Sequence, residues 1–331
     1  MKKAIWVLLV LMLSAPFLGC RGKADDYSIN NQNRIILRLA ETQSPYYPSS
    51  RGAKEFARLV EEKSAGRIKV VVYDSGKLGD EISVVEQVQF GGIDLARVSA
   101  ASLARYSSRL KAATLPYIIT TPDQMWRIYD GRFGGMIKES LLKEKITCLA
   151  WYEGGVRGFY NSKKTINSVE DLKSLKISVQ QSQTIIDLYS SLGISLVPTR
   201  PSDIYSALQT GAIDGAEDNI VAYYTSKHYE VAPYFTHDEH ARIPEAIIGS
   251  RVTMLQLSKD DQAIIEQAAQ ESAVIQRKMW AEMERDTFKA LSGAGVVISF
   301  GDYRGRDSLS AAARPFADSF GRDELAALAE D

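Results

Sequence analysis

Apolar positions along the chain follow two periods that alternate. Short runs rich in aliphatic and β-branched residues at 34–40, 68–73 and 93–98 predict strands. Between them lie stretches with helical spacing. One places Ala53, Phe56, Ala57 and Val60 on a single face, with Ser49 or Ser50 as its cap and Gly66 at its end. The next runs 81–90, with Asp80 as its cap and Gly91-Gly92 as its stop. A strand–helix–strand–helix–strand order predicts right-handed crossovers and parallel pairing.

The same punctuation continues. Thr121-Pro122 opens a helix carrying Met125, Trp126 and Tyr129. Runs at 146–152 and 156–160 predict strands. Ser168 and Asp171 resemble a capping box, followed by a strand at 175–179 and a helix at 183–192 stopped by Gly193. Ser202 begins a helix over 203–210 that Gly211 ends; strands are expected at 213–217 and, longer, at 245–255. From Ser258 to about Leu291 the pattern runs without Pro or Gly, predicting a helix of about 50 Å at ~1.5 Å per residue. That exceeds one small lobe, so the helix is expected to cross two lobes and tie them together. The length, 331 residues, agrees: single cores stop growing near roughly 250–300 residues.

The N-terminus has a different texture. Lys2-Lys3 precedes an uncharged apolar run, 4–18, too short for a bilayer span and suited to a secretory signal. The run ends Phe17-Leu18-Gly19-Cys20, which resembles a bacterial lipobox, with Phe17 where Leu is usual. Cys20 is then the lipidation site, 1–20 the signal peptide and 21–33 a polar tether. The competing expectation is ordinary cleavage and a free exported protein. Cys148 falls in an apolar strand and is expected to be an inert buried thiol.

Composition narrows the function classes. With 45% hydrophobic and 24% charged residues the chain is neither disordered nor a disulfide-stapled miniature. A net charge of −1 offers no excess to neutralise phosphates, which argues against nucleic acid. The two cysteines form no metal-ligand pair. The sequence contains no GxSxG, HExxH, Walker A or GxGxxG motif, so no enzyme, cofactor or metal site is expected. His237-Asp238-Glu239-His240 is the one dense polar cluster: His at i and i+3 with acids between has the ligand types for a metal, and the favoured reading is a solvated or hinge-side loop.

Seven co-linear blocks carry a resemblance. They are LRLAETQSPYYP (37–48), GKLGDEISVVEQVQFGGIDLARVS (76–99), LPY (115–117), GVRGFYNSKKTINSVEDLKSLKISVQQSQ (155–183), YSALQTGAIDGAEDN (205–219), HYEVAPYFTHDEH (228–240) and the SKDDQ that opens the long helix. Together they resemble the DctP-type extracytoplasmic solute receptors of TRAP transporters, most of all the uronate and sugar-acid subgroup. The resemblance implies an α/β, two-lobed periplasmic-binding-protein-like fold with a long interlobe helix. Lobe I would hold 34–154 plus 243–283, and lobe II 155–242 plus 284–331. It implies a small hydroxylated organic acid or sugar acid bound in the cleft, closure around it, and delivery to TRAP permease subunits, with the membrane met only through the lipid anchor. The same fold read by a signalling partner is the alternative.

The resemblance also nominates site residues. The family grips a carboxylate with an arginine in K-I-R-V-Q-Q-S; here that position is Ser178. Asp218 stands where Asn is usual, after Glu217. Both departures move the site toward negative charge. Arg157, in Gly-x-Arg, is the guanidinium that can take over, with Arg97 and Arg242 as further positive charge. A cation held by Glu217 and Asp218, or a neutral solute, is also open. Glu41, Tyr46, Glu81, Ser99 and Gln180 complete the expected set, with Gln43, Tyr47 and Tyr223 in matched or adjacent positions.

Overall fold

The structure, a computed structural model, describes residues 34–300 and 306–319. Its strands are β1 (Ile35–Glu41), β2 (Ile68–Tyr73), β3 (Leu95–Ser99), β4 (Ile146–Tyr152), β5 (Val156–Asn161), β6 (Lys176–Ser178), β7 (Ser195–Leu196), β8 (Gly215–Asn219), β9 (Tyr234–Arg242), β10 (Glu245–Ser250) and β11 (Val297–Phe300). They form two sheets, ordered β2-β1-β3-β10-β4 and β11-β9-β5-β8-β6-β7. The signal, tether and Cys20 lie outside the described residues. No helix among the described residues is long and apolar enough to cross a membrane.

The parallel pairing predicted for the N-terminal third holds: β1 pairs in parallel with β2 and β3. Helices Pro48–Lys63 and Glu81–Phe90 make the crossovers. The sheet then turns mixed, because β10 inserts antiparallel between β3 and β4. One face buries Phe56, Leu39, Ile247 and Ile265; the other buries Val85, Val98, Phe133 and Trp151. In the second sheet, Phe159, Ile177 and Leu188 fill one face, and Tyr160, Ala216, Tyr223 and Phe235 the other. Burial of this apolar area is the main favourable term in folding.

The chain passes between the sheets at two adjacent places. β4 runs into β5 through Glu153–Gly155, and β9 into β10 through Ile243-Pro244. Tyr152 pairs with Glu245 on one side of the junction, and Val156 with Arg242 on the other. Gly155 sits at φ +70° with the Trp280 ring 2.5 Å from where a Cβ would stand, so only glycine fits without a shift. The long helix, Lys259–Gly293, crosses here too. Its Ile265, Ala269 and Ala273 pack under the first sheet, and its Trp280 and Leu291 under the second. Ser258 caps it by accepting from the Asp261 N–H.

Four expectations change. Ser49 and Ser50 do not cap the first helix but lie buried inside its first turn, because Pro48 starts it one residue after Tyr47. The strand expected over 245–255 ends at Ser250, whose hydroxyl caps a short helix, Arg251–Gln256. The segment 237–240 is not a loop but part of β9, kinked at Glu239 (φ 52°) where the pairing with β5 slips. A helix at Arg132–Lys143 is unannounced because Gly134-Gly135 reads as a break. There Gly134 lets the backbone approach the Tyr129 carbonyl, which would lie 1.9 Å from an added Cβ.

Candidate functional site

Two arginine clusters face each other where the sheets meet. On the first sheet, Arg97 of β3 is 1% exposed and ringed by three carboxylates. Its Nε donates to Glu41 Oε2 at 2.8 Å, and its Nη1 to Glu81 and Glu245, both at 3.1 Å. Its Nη2 donates to Glu41 Oε1 and, at 3.0 Å, to Thr42 Oγ1. All five guanidinium N–H groups are therefore taken. Glu81 also accepts from Ser99 N (3.1 Å) and Ser102 Oγ (2.6 Å). Burial pushes the Glu245 carboxyl up to about 7, against the pull of Arg97.

On the second sheet, Arg157 of β5 donates from Nε to Glu217 Oε2, from Nη1 to Asp218 Oδ1 at 3.0 Å, and from Nη2 to the Glu217 carbonyl at 2.9 Å. Two of its N–H groups remain. Glu217 is buried, which alone would raise its carboxyl. Arg157 and His240 outweigh that and bring it down to about 2. Asp218 moves the other way, raised by burial against the attraction of Arg157, with Glu217 adding repulsion.

Direct bonds join the clusters. Gln180 Nε2 donates to Ser99 Oγ at 2.8 Å. Asn219 Nδ2 donates to Tyr47 OH at 3.0 Å, and that hydroxyl donates to Glu245 Oε1 at 3.3 Å. Gln180 N donates to Glu217 Oε1 at 2.7 Å, while its side-chain Oε1 is buried without a partner. The junction thus offers two free guanidinium N–H groups and an unused amide oxygen, in a shell otherwise dominated by carboxylates.

Residues 39–323 match the family of bacterial extracellular solute-binding proteins, family 7, known as DctP. This chain belongs to the DctP family. A solute-binding protein of Chromohalobacter salexigens is 31% identical over 289 residues, covering 87% of this chain and 85% of that protein. Among solved structures, a TRAP periplasmic solute-binding protein of Roseobacter denitrificans with bound β-D-glucuronate superposes with TM-score 0.84 at 29% identity. It covers 88% of this chain and 98% of that one. A counterpart from Sulfitobacter sp. NAS-14.1 with bound β-D-galacturonate gives TM-score 0.85 at 28% identity, over 88% and 98% of the two chains. The fold class expected from sequence is the one this DctP chain has, long helix included.

The structure brings together Arg157, Glu217, Asp218 and Gln180 on one side, and Arg97, Glu41, Glu81 and Ser99 on the other. Ser178 lies at the end of β6, beside Ala216 of β8, and is 2% exposed. Arg242 is spent elsewhere, on Glu239 (2.8 Å) and the Thr120 carbonyl. Tyr46 is 76% exposed, and no bond ties it to either arginine cluster among the described residues. Its neighbour Tyr47 is the buried one that bridges the sheets. Tyr47 is expected from sequence only as a solute-side residue, not as a bridge between the sheets, and Glu245, Asn219 and His240 have no site role there. Tyr47 and Glu245 are 198 positions apart, so no local pattern links them. Among the described residues no group of three or more His, Cys, Asp or Glu side chains could hold a metal ion.

Proposed function

We propose that this DctP chain is the receptor of a TRAP transporter, that it binds a hydroxylated sugar acid of the glucuronate or galacturonate kind between its two sheets, and that it delivers the solute to membrane permease subunits. The carrying observation is Arg157, the site arginine with N–H groups to spare. A guanidinium donates two bonds to one carboxylate, and charge-assisted bonds are the strong ones. Gln180 Oε1 and the part-exposed Asp218 carboxylate are acceptors for sugar hydroxyls. Arg97, with every donor engaged, holds Glu41 and Glu81 in place in this reading.

The proposed lobes are 34–154 plus 243–283 and 155–242 plus 284–331, consistent with the two sheets and the crossings at 153–155 and 243–244. Lipid attachment at Cys20 completes the proposal and is read by mass spectrometry of the mature protein. A neutral polyhydroxylated solute is the second reading. It is favoured by the five carboxylates Glu41, Glu81, Glu245, Glu217 and Asp218 set against two guanidiniums.

A thermal-shift panel of glucuronate, galacturonate, galactonate, simple keto-acids and neutral sugars tests the proposal. A ligand that binds only the folded protein raises Tm by mass action. A shift with uronates and none with the matched neutral sugars supports it. A shift with neutral sugars alone transfers the assignment to the second reading, and no shift with any compound removes both.

A further inference from the structure

The segment His237-Asp238-Glu239-His240 does not stay at the hinge surface. The β9 kink at Glu239 turns Asp238 and His240 inward, and both are buried. The His240 ring lies between two carboxylates. Its Nδ1 is 3.0 Å from Asp238 Oδ1, and its Nε2 is 3.5 Å from Glu217 Oε2. A neutral imidazole has one N–H and one lone pair, so here it would turn a lone pair toward a carboxylate. Only the imidazolium suits both neighbours. The ring stacks on Phe159, with centroids 4.5 Å apart, and meets the edge of Tyr189, which fixes its plane.

The carboxylate that His240 faces is the one that holds the solute arginine. Glu217 Oε2 receives Arg157 Nε, and its Oε1 receives the Gln180 main-chain N–H. Behind His240, Tyr117 OH donates to Asp238 Oδ2 at 3.1 Å, and Tyr117 N donates to the His240 carbonyl at 2.8 Å. A continuous row therefore runs Tyr117, Asp238, His240, Glu217, Arg157.

We propose that His240 is a positioning residue of the solute site: as an imidazolium it shares Glu217 with Arg157 and so leaves part of the Arg157 guanidinium free for the solute. The proposal rests on the reading that Arg157 meets the solute's acid group. When His240 loses its proton, Glu217 keeps a single counter-charge, draws Arg157 wholly onto itself, and affinity falls. The titratable and charged groups packed around the ring are Asp238 on its own strand, Glu217 on β8, Arg157 on β5, Tyr189 on the helix Gln183–Ser191 and Tyr117 on the preceding loop. Burial would lower the imidazole, but Asp238 and Glu217 outweigh it and raise it to about 9.

The chain has three histidines, His228, His237 and His240, so the imidazole resonances are few. NMR titration of the ligand-free full chain, with His240 identified by its absence in His240→Gln, is expected to show it protonated well above its ordinary range. Asp238→Asn should bring it down. A His240 that titrates at or below its ordinary value overturns the proposal, whatever the solute is. Calorimetry with D-glucuronate and D-galacturonate is the second arm. Loss of one charge-assisted contact predicts a Kd about 10-fold weaker for His240→Gln at neutral pH. Wild-type affinity should fall above about pH 8, with that slope absent in the variant. If the variant does not fold, Asp238→Asn carries the same expectation. A lowered Tm with unchanged Kd and unchanged pH profile means a structural histidine only and overturns the proposal. If wild type binds neither sugar acid, the uronate reading fails, and the titration alone decides the row.

Discussion

Arg97 and Arg157 look alike as letters and differ in what they have left to give. Arg97 donates all five N–H groups to Glu41, Glu81, Glu245 and Thr42. Arg157 donates three. Arg157→Lys keeps the charge beside Glu217 but loses the planar fork. It is expected to weaken uronate binding about 10–100-fold while the ligand-free Tm falls little, measured by calorimetry and thermal melting. Unchanged affinity would take Arg157 out of the solute shell. Ser178→Arg adds a guanidinium on a strand paired with that of Glu217 and Asp218. It is expected to improve affinity for simple carboxylates about tenfold by the same charge-assisted term, and an unchanged profile in the thermal-shift panel would place Ser178 outside the shell. What the sequence shows at Ser178 is a departure from a recognisable motif; the substitution tests its place in the shell. The role of His240 and the bridging partners of Tyr47 are not legible: both depend on residues brought near by the fold, and a string carries no distance.

At the scale of elements, local chemistry was easiest to read. Asp80, Thr121, Ser168 and Ser258 cap helices through side-chain oxygens as expected, and Gly91 and Gly211 end helices in the left-handed region. The uninterrupted run from Ser258 became one helix because nothing in it breaks the hydrogen-bond ladder. What failed was anything set by neighbours. β10 stops at Ser250 because a hydroxyl caps the next turn, whereas an apolar run alone suggests a longer strand. The long helix also has a duty its pattern hides. Gln276, fully buried, accepts from the Glu153 N–H at 2.8 Å and donates to the Glu153 carbonyl at 2.9 Å, pinning the first crossing between the sheets. Gln276→Ala leaves both part-buried backbone groups without this partner. It should cost about 1–3 kcal/mol in urea unfolding. A loss under a few tenths would mean that water replaces the amide and the crossing needs no pin.

At the scale of the whole molecule, two questions remain linked: how stability depends on pH and what holds the two sheets together. His228 is buried beside Tyr160 OH (2.7 Å to Nδ1) and lowered by burial to about 4, so its contribution is full above its ordinary 6.5 and lost as pH falls toward 4. His240 is raised to about 9, so its contribution is full below 6.5 and lost as pH rises through 9. Between these limbs Tm should pass through a broad maximum. In His240→Gln the decline between about pH 7 and 9 should flatten; if it persists, another group drives it. The sheets are joined by the crossings, the long helix, and the side-chain bonds Gln180–Ser99 and Asn219–Tyr47. Asn219 also caps the helix Ile220–Thr225, whereas the Gln180 side chain has no such duty, so the ligand-free state of a Gln180 variant reads the bond between the sheets. Closing costs less when such bonds already favour the closed arrangement, because a solute's apparent affinity scales with the fraction of competent molecules. Gln180→Ala removes a bond worth roughly 1 kcal/mol and should open part of the population. Small-angle scattering should then show a larger ligand-free radius that returns to the wild-type value at saturating solute. Kd should rise about fivefold or more, because the Gln180 Oε1 contact proposed for the solute is lost together with the bond between the sheets, and mostly through faster release. An unchanged radius would mean that the crossings and the long helix alone set the distance between the sheets, and that the solute enters a gap that never widens.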